Sequence, residues 1–117
     1  MKLDNVIFYS NNLLKSKDFY QNILGLNITS DSENFISFSL ENNASLGIKL
    51  YSSDRDKTPG QQCLSFSIEN IDDIFSKLKL NPEIIFIKDL TQNSWGKEFA
   101  ISDPDGNKII ILNRAGD

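Results

Sequence analysis

The sequence predicts an α+β fold built from two βαβββ halves, and three observations predict it. Short runs with apolar residues at every second position recur along the 117 residues, bounded by Asn, Asp, Ser, Gly or Pro. Two stretches switch to helical spacing, each preceded by an Asn suited to cap it. The order of elements in the first half then returns in the second. Ser10-Asn11-Asn12-Leu13 ahead of one helix corresponds to Ile68-Glu69-Asn70-Ile71 ahead of the other.

Taken in order, residues 3–9 alternate, with Val6 and Phe8 on one side and Asn5, Ile7 and Tyr9 on the other, and read as a strand. Asn11 or Asn12 caps a helix over residues 13–24, with Leu13, Tyr20, Ile23 and Leu24 as its stripe and Phe19 beside it. Gly25 supplies the stop. Residues 26–29 form a short strand and 31–34 a turn. Residues 35–40 and 45–51 alternate again around a turn at 41–44, and residues 53–62, with Pro59-Gly60, read as a linker. In the second half residues 63–68 are a strand. Asn70 caps a helix whose stripe is Ile71, Ile74, Phe75 and Leu78. Asp72 and Asp73 suit its first turn, Lys77 and Lys79 its last, and Asn81-Pro82 ends it. Residues 83–88 are a strand, 91–96 a loop holding Trp95, and the chain closes in a hairpin around Asp103-Pro104-Asp105-Gly106-Asn107. There Pro104 presets φ and Gly106 takes the positive φ that other residues avoid. The expected organisation is one domain, 1–117, with module one at 1–52 and module two at 63–114.

Composition narrows the function. With 39% hydrophobic and 24% charged residues the chain is expected to fold and stay soluble. At net charge −4, with Lys and Arg scattered among acids, it lacks the basic patch of a nucleic-acid binder. No apolar run approaches the ~20 residues of a membrane span, and the first residues lack the apolar core of a signal peptide. The single cysteine excludes an internal disulfide and agrees with a reducing cytoplasm; Cys63 is expected as a small buried hydrophobe. The absence of histidine removes the commonest metal ligand and the commonest general base.

The two strand faces differ. One is Val, Leu, Ile and Phe and must lie under the helices. The other carries Asn5, Ile7, Tyr9, Phe35, Ser37, Ser39, Gly47, Lys49, Tyr51, Cys63, Ser65, Ser67, Glu98, Ala100, Ile110 and Leu112. Unpaired polar groups are costly to bury, so this is no second core, and it is too aromatic for a fully solvated face. A concave surface for a small molecule or a partner chain satisfies both constraints. Trp95 is suited to stack on a planar ligand or to pack over a sheet edge. Lys49 is suited to a carboxylate or phosphate, or to a rim position with its head in water. Tyr9 and Tyr51 either hydrogen-bond a ligand or fill the surface. Glu98 attracts a cation or stands solvated at a strand end. Asn5, which both donates and accepts, is the polar candidate deepest in the surface.

With these motifs laid out, the chain resembles the vicinal oxygen chelate superfamily, the glyoxalase, bleomycin-resistance and extradiol-dioxygenase group, over nearly its whole length. Leu3-Asp4-Asn5-Val6, the helix around Ser16, Phe19 and Tyr20, and Leu24-Gly25 resemble its opening strand, helix and stop. Residues 64–68 through Ile71-Asp72 resemble the start of its second module, and Trp95-Gly96, Phe99 and residues 103–107 its final hairpin. The resemblance implies eight strands curling into a mixed-sheet cup with helices on the convex side, often in paired chains. Metal-dependent members place one ligand on each of four strands. The matching positions here are Asn5, Lys49, Cys63 and, seven residues after Asp103, Ile110. None is the family's usual His or Glu, and a divalent ion needs several convergent donors.

The expectation is therefore a metal-free, cofactor-free, cytoplasmic binding protein of the glyoxalase/bleomycin-resistance type, a homodimer sequestering an antibiotic or metabolite. Its expected ligand-binding residues are Asn5, Tyr9, Phe35, Lys49, Tyr51, Cys63, Trp95, Glu98 and Ile110, with a planar or aromatic ligand, no catalytic residue and no metal ligand. The alternatives are a lyase or dioxygenase-like enzyme with a relocated metal site, and a dimeric interaction module.

Overall fold

The computed structural model describes residues 1–52 and 57–114. Residues 53–56, which fall in the expected linker 53–62, lie outside the described residues. The chain forms two compact units divided between Gly60 and Gln61. Each follows the βαβββ order and carries one four-stranded mixed sheet.

In the first unit the strands are β1 (Asn5–Ser10), β2 (Asn27–Asp31), β3 (Phe35–Ser39) and β4 (Ser45–Leu50), in the spatial order β1-β4-β3-β2. β1 runs parallel to β4, and the other pairs are antiparallel. The parallel pairing forces a crossover between β1 and the rest of the sheet, and the helix supplies it. α1 (Leu13–Lys17) starts at Asn12, whose side chain accepts the N–H of Lys15. The helix expected over 13–24 does not stay α-helical. After Lys17 it widens into a π-helix, Asp18–Ile23, closed by the Leu24 N–H donating to the Phe19 carbonyl. Phe19 and Tyr20 within it both lie in the core, under 5% exposed. Tyr20 then meets Phe38 at 5.8 Å between ring centroids. Gly25 ends the element at φ 77°. Phe8, Ile36, Phe38, Leu46 and Ile48 complete this core.

Two serines are buried among these apolar residues because they satisfy each other. Ser10 and Ser16 are fully buried with their hydroxyls 2.7 Å apart, and Ser10 Oγ also accepts the N–H of Asn12. The end of β1 is thereby tied to the first helical turn.

The second unit repeats the plan with β5 (Cys63–Ser67), α2 (Ile71–Lys79), β6 (Ile85–Asn93), β7 (Gly96–Ser102) and β8 (Lys108–Arg114), in the order β5-β8-β7-β6. β5 runs parallel to β8. α2 buries Ile71 and Leu78 and sets Phe75 edge-on to Phe86 and Phe99, at 5.5 and 5.2 Å. Its acidic first turn and basic last turn agree with the helix dipole. Asn70 holds the cap position without a side-chain bond, so its carbonyl, accepting the Ile74 N–H, opens the helix alone.

The loop expected over 91–96 is mostly strand. β6 continues to Asn93, and the chain reverses through Ser94-Trp95. Asn93 makes this possible, since its side-chain oxygen accepts the N–H of both Trp95 and Gly96. The closing hairpin forms where expected, and Asp103 is its hub. Asp103 Oδ1 accepts the N–H of Asp105 (3.0 Å) and of Asn107 (2.8 Å), and Oδ2 accepts the Asn107 side-chain amide (2.9 Å). Asn107 in turn accepts the N–H of Gln62, pinning the entry to β5.

Candidate functional site

In both sheets the face away from the helix is the mixed one. Registers on the first sheet set three rows across it: Asn5, Ser45 and Ser39; Ile7, Gly47 and Ser37; and Tyr9, Lys49 and Phe35. The last row brings three of the expected ligand-binding residues side by side, an exposed ammonium between two half-buried rings. The middle row is set by Gly47. The place its Cβ would take is already filled, with Phe35 Cζ 2.6 Å and Ile7 Cδ1 2.7 Å from it. Phe35 therefore lies down over the β4 backbone instead of standing out from it.

Asn5 is not deep. It is exposed at the first position of β1, and its side-chain amide donates to Asp4 at 2.7 Å. Tyr51 lies just past β4, anchored by its N–H donating to the Ser10 carbonyl, and so stands outside the three rows.

On the second sheet the corresponding rows are Cys63, Lys108 and Ser102; Ser65, Ile110, Ala100 and Lys88; and Ser67, Leu112, Glu98 and Thr91. Cys63 is exposed rather than buried. It opens β5 at the sheet's edge, opposite Lys108, where a strand end has a neighbour on one side only. Glu98 is neither solvated nor unpaired, because it forms an ion pair with Lys88. Trp95 sits in the β6–β7 turn, with the Arg114 guanidinium 5.4 Å from its ring centroid.

Lys88 and Arg114 are the residues that sequence reasoning missed. The signal for Lys88 was the reversal at Ser94-Trp95, which sets residue 88 opposite Ala100, within reach of Glu98 two residues along β7. Reading 91–96 as an open loop concealed it.

The residues at the four chelating positions do not fit a divalent ion. Asn5 is exposed and turned to Asp4, Lys49 carries positive charge, Cys63 is a single sulfur beside Lys108, and Ile110 is hydrocarbon. Among the described residues no three acidic or Cys side chains gather as a metal ion would require.

Paired βαβββ units, each with a helix-covered apolar face and an open mixed one, define a class of protein. Residues 3–114 match the model of the glyoxalase-like domain, and the chain belongs to that family and so to the vicinal oxygen chelate superfamily. No curated protein sequence matches it. Among solved structures, one protein from Agrobacterium tumefaciens, determined by solution NMR, is 26% identical, with 99% of each chain covered and a TM-score of 0.79. TnmS3, an antibiotic binding protein from Streptomyces sp. CB03234, is 19% identical over 98% of this chain and 97% of that one, with a TM-score of 0.81. A lactoylglutathione lyase from Agrobacterium tumefaciens is 18% identical over 96% and 92%, with a TM-score of 0.79. The last two show a shared fold. Among the described residues no helix is long and apolar enough to cross a membrane.

Proposed function

We propose that this chain is a metal-independent small-molecule-binding protein of the glyoxalase/bleomycin-resistance type, a single cytoplasmic domain that acts as a homodimer and sequesters an antibiotic or a metabolite. The observation that carries this reading is the set Asn5, Lys49, Cys63 and Ile110 at the positions where chelating relatives hold their metal. A lysine and an isoleucine cannot be bent to that task by small shifts of backbone. An antibiotic binding protein and a lactoylglutathione lyase share this fold, so the fold does not choose between binder and lyase, and the side chains at these four positions favour the binder. The first sheet's mixed face adds two half-buried rings, Tyr9 and Phe35, on either side of Lys49, the composition of a binding site.

One observation supports pairing of two chains. β6 ends its sheet and carries Ile85 and Ile87, 65% and 49% exposed, apolar surface that a second copy would cover.

The test has three arms. Tag-free protein is assayed for bound metal, screened by thermal shift against planar antibiotics and aromatic metabolites, and sized by light scattering. The expected result is no stoichiometric Ni²⁺, Zn²⁺, Mn²⁺ or Fe²⁺, saturable stabilisation by at least one planar compound, and a dimer mass. Stoichiometric metal lost on mutating Asn5 and Cys63, or turnover of a glutathione hemithioacetal or an iron-dependent catechol, would instead establish an enzyme.

A further inference from the structure

The first sheet's open face holds a low apolar shelf. Phe35 leans across Gly47, its Cζ and Cε2 within 3 Å of where a Cβ would stand, and Ile7 closes on the same spot from the neighbouring strand. Both are half-buried, so part of each remains open to solvent. Lys49 stands directly beside this shelf, next to Phe35 on one strand and Tyr9 on the other. A planar ring laid along the sheet touches both Phe35 and Ile7, whereas a globular ligand touches so low a surface at a point. The one charge in these rows is the cation Lys49, which sets the sign of a ligand's polar end.

Building on the binding-protein reading, we propose that this face takes a planar aromatic carboxylate, with its ring on the Phe35–Gly47–Ile7 shelf and its carboxylate on Lys49 Nζ. Gly47 is then a specificity-determining position, since any side chain there lifts Phe35 off the backbone and removes the shelf. Lys49 and Tyr9 each already make a further contact within the chain, so the carboxylate exchanges one partner of Lys49 for another. The expected contribution of the charge is that of an exposed pair, about fivefold in affinity.

The probes are 2-naphthoate and its neutral counterpart 2-naphthamide, titrated calorimetrically against the full chain, K49M, K49R and G47A. The expected result is that naphthoate binds more tightly than naphthamide, that K49M removes this preference while leaving naphthamide unchanged, and that K49R restores it. G47A weakens both probes. Thermal melts of each variant separate lost binding from lost fold. Equal affinity for the two probes, or a naphthoate preference that survives K49M, overturns the carboxylate assignment while the binding-protein reading stands. Failure of every compound in the wider thermal-shift screen overturns both.

Discussion

Phe35 lies across Gly47, its Cζ 2.6 Å from the position a Cβ at residue 47 would take. A glycine inside a strand ordinarily costs stability, and replacing it by alanine recovers about 0.5–1 kcal/mol. Here the gain is outweighed by overpacking, which costs about 1–3 kcal/mol. G47A is expected to destabilise the protein by about 1 kcal/mol in urea unfolding, and to turn neutral or stabilising once F35A has removed two of the three crowding atoms. Additive effects of the two changes would show that the contact is not where the strain arises.

Ser10 and Ser16 predict a coupled loss. Ser10 bonds the Ser16 hydroxyl and also accepts the Asn12 N–H. S10A and S16A are each expected to cost about 1–2 kcal/mol, with the double variant costing less than their sum. Chemical denaturation of the three variants checks this, and strictly additive losses refute it.

The Asp103 hub predicts a large loss from a residue outside the proposed binding face. Asp103 is buried and accepts three hydrogen bonds, so D103A is expected to destabilise by about 3 kcal/mol. G106A, at φ 97°, is expected to cost about 1–2 kcal/mol through backbone strain. Both variants should bind any ligand normally at temperatures where they remain folded. Weakened binding by folded D103A would give the hairpin a direct role that its geometry does not suggest.

The Lys88–Glu98 pair predicts a small effect. The Lys88 side chain is 44% exposed, and such pairs are worth about 0–1 kcal/mol. E98Q should lower stability by no more than that, and the difference should shrink between low and high salt. A loss above 2 kcal/mol, insensitive to salt, would mean that Glu98 does more than pair with Lys88.

Much of this arrangement is legible in the sequence because it depends on near neighbours. Alternation at residues 5–9, 35–39 and 45–50 marks both the strands and their faces, since the period of a strand is two whatever it pairs with. Asn12, Gly25 and the run 103–107 carry their own turn chemistry. The misplacements have a shared origin. The helix widens at Asp18, within a segment whose Tyr20 packs against Phe38 on a strand that comes later in the chain. Asn5 and Cys63 look interior by alternation, yet each is the first residue of a strand at the edge of its sheet. Face is a local property, whereas depth depends on where the strand sits among its neighbours.

The repeated βαβββ order and the division of each strand into an apolar and a mixed side can be read from the chain alone, because side-chain identity and short-range periodicity are written residue by residue. Which residues of the mixed side stand together depends on the tertiary fold. The Tyr9–Lys49–Phe35 row, the lean of Phe35 over Gly47, and the pairing of Glu98 with Lys88 all follow from strand register. Register is settled by the packing of whole strands against a helix and against each other, and a slip of one residue would have turned each of these side chains to the other face.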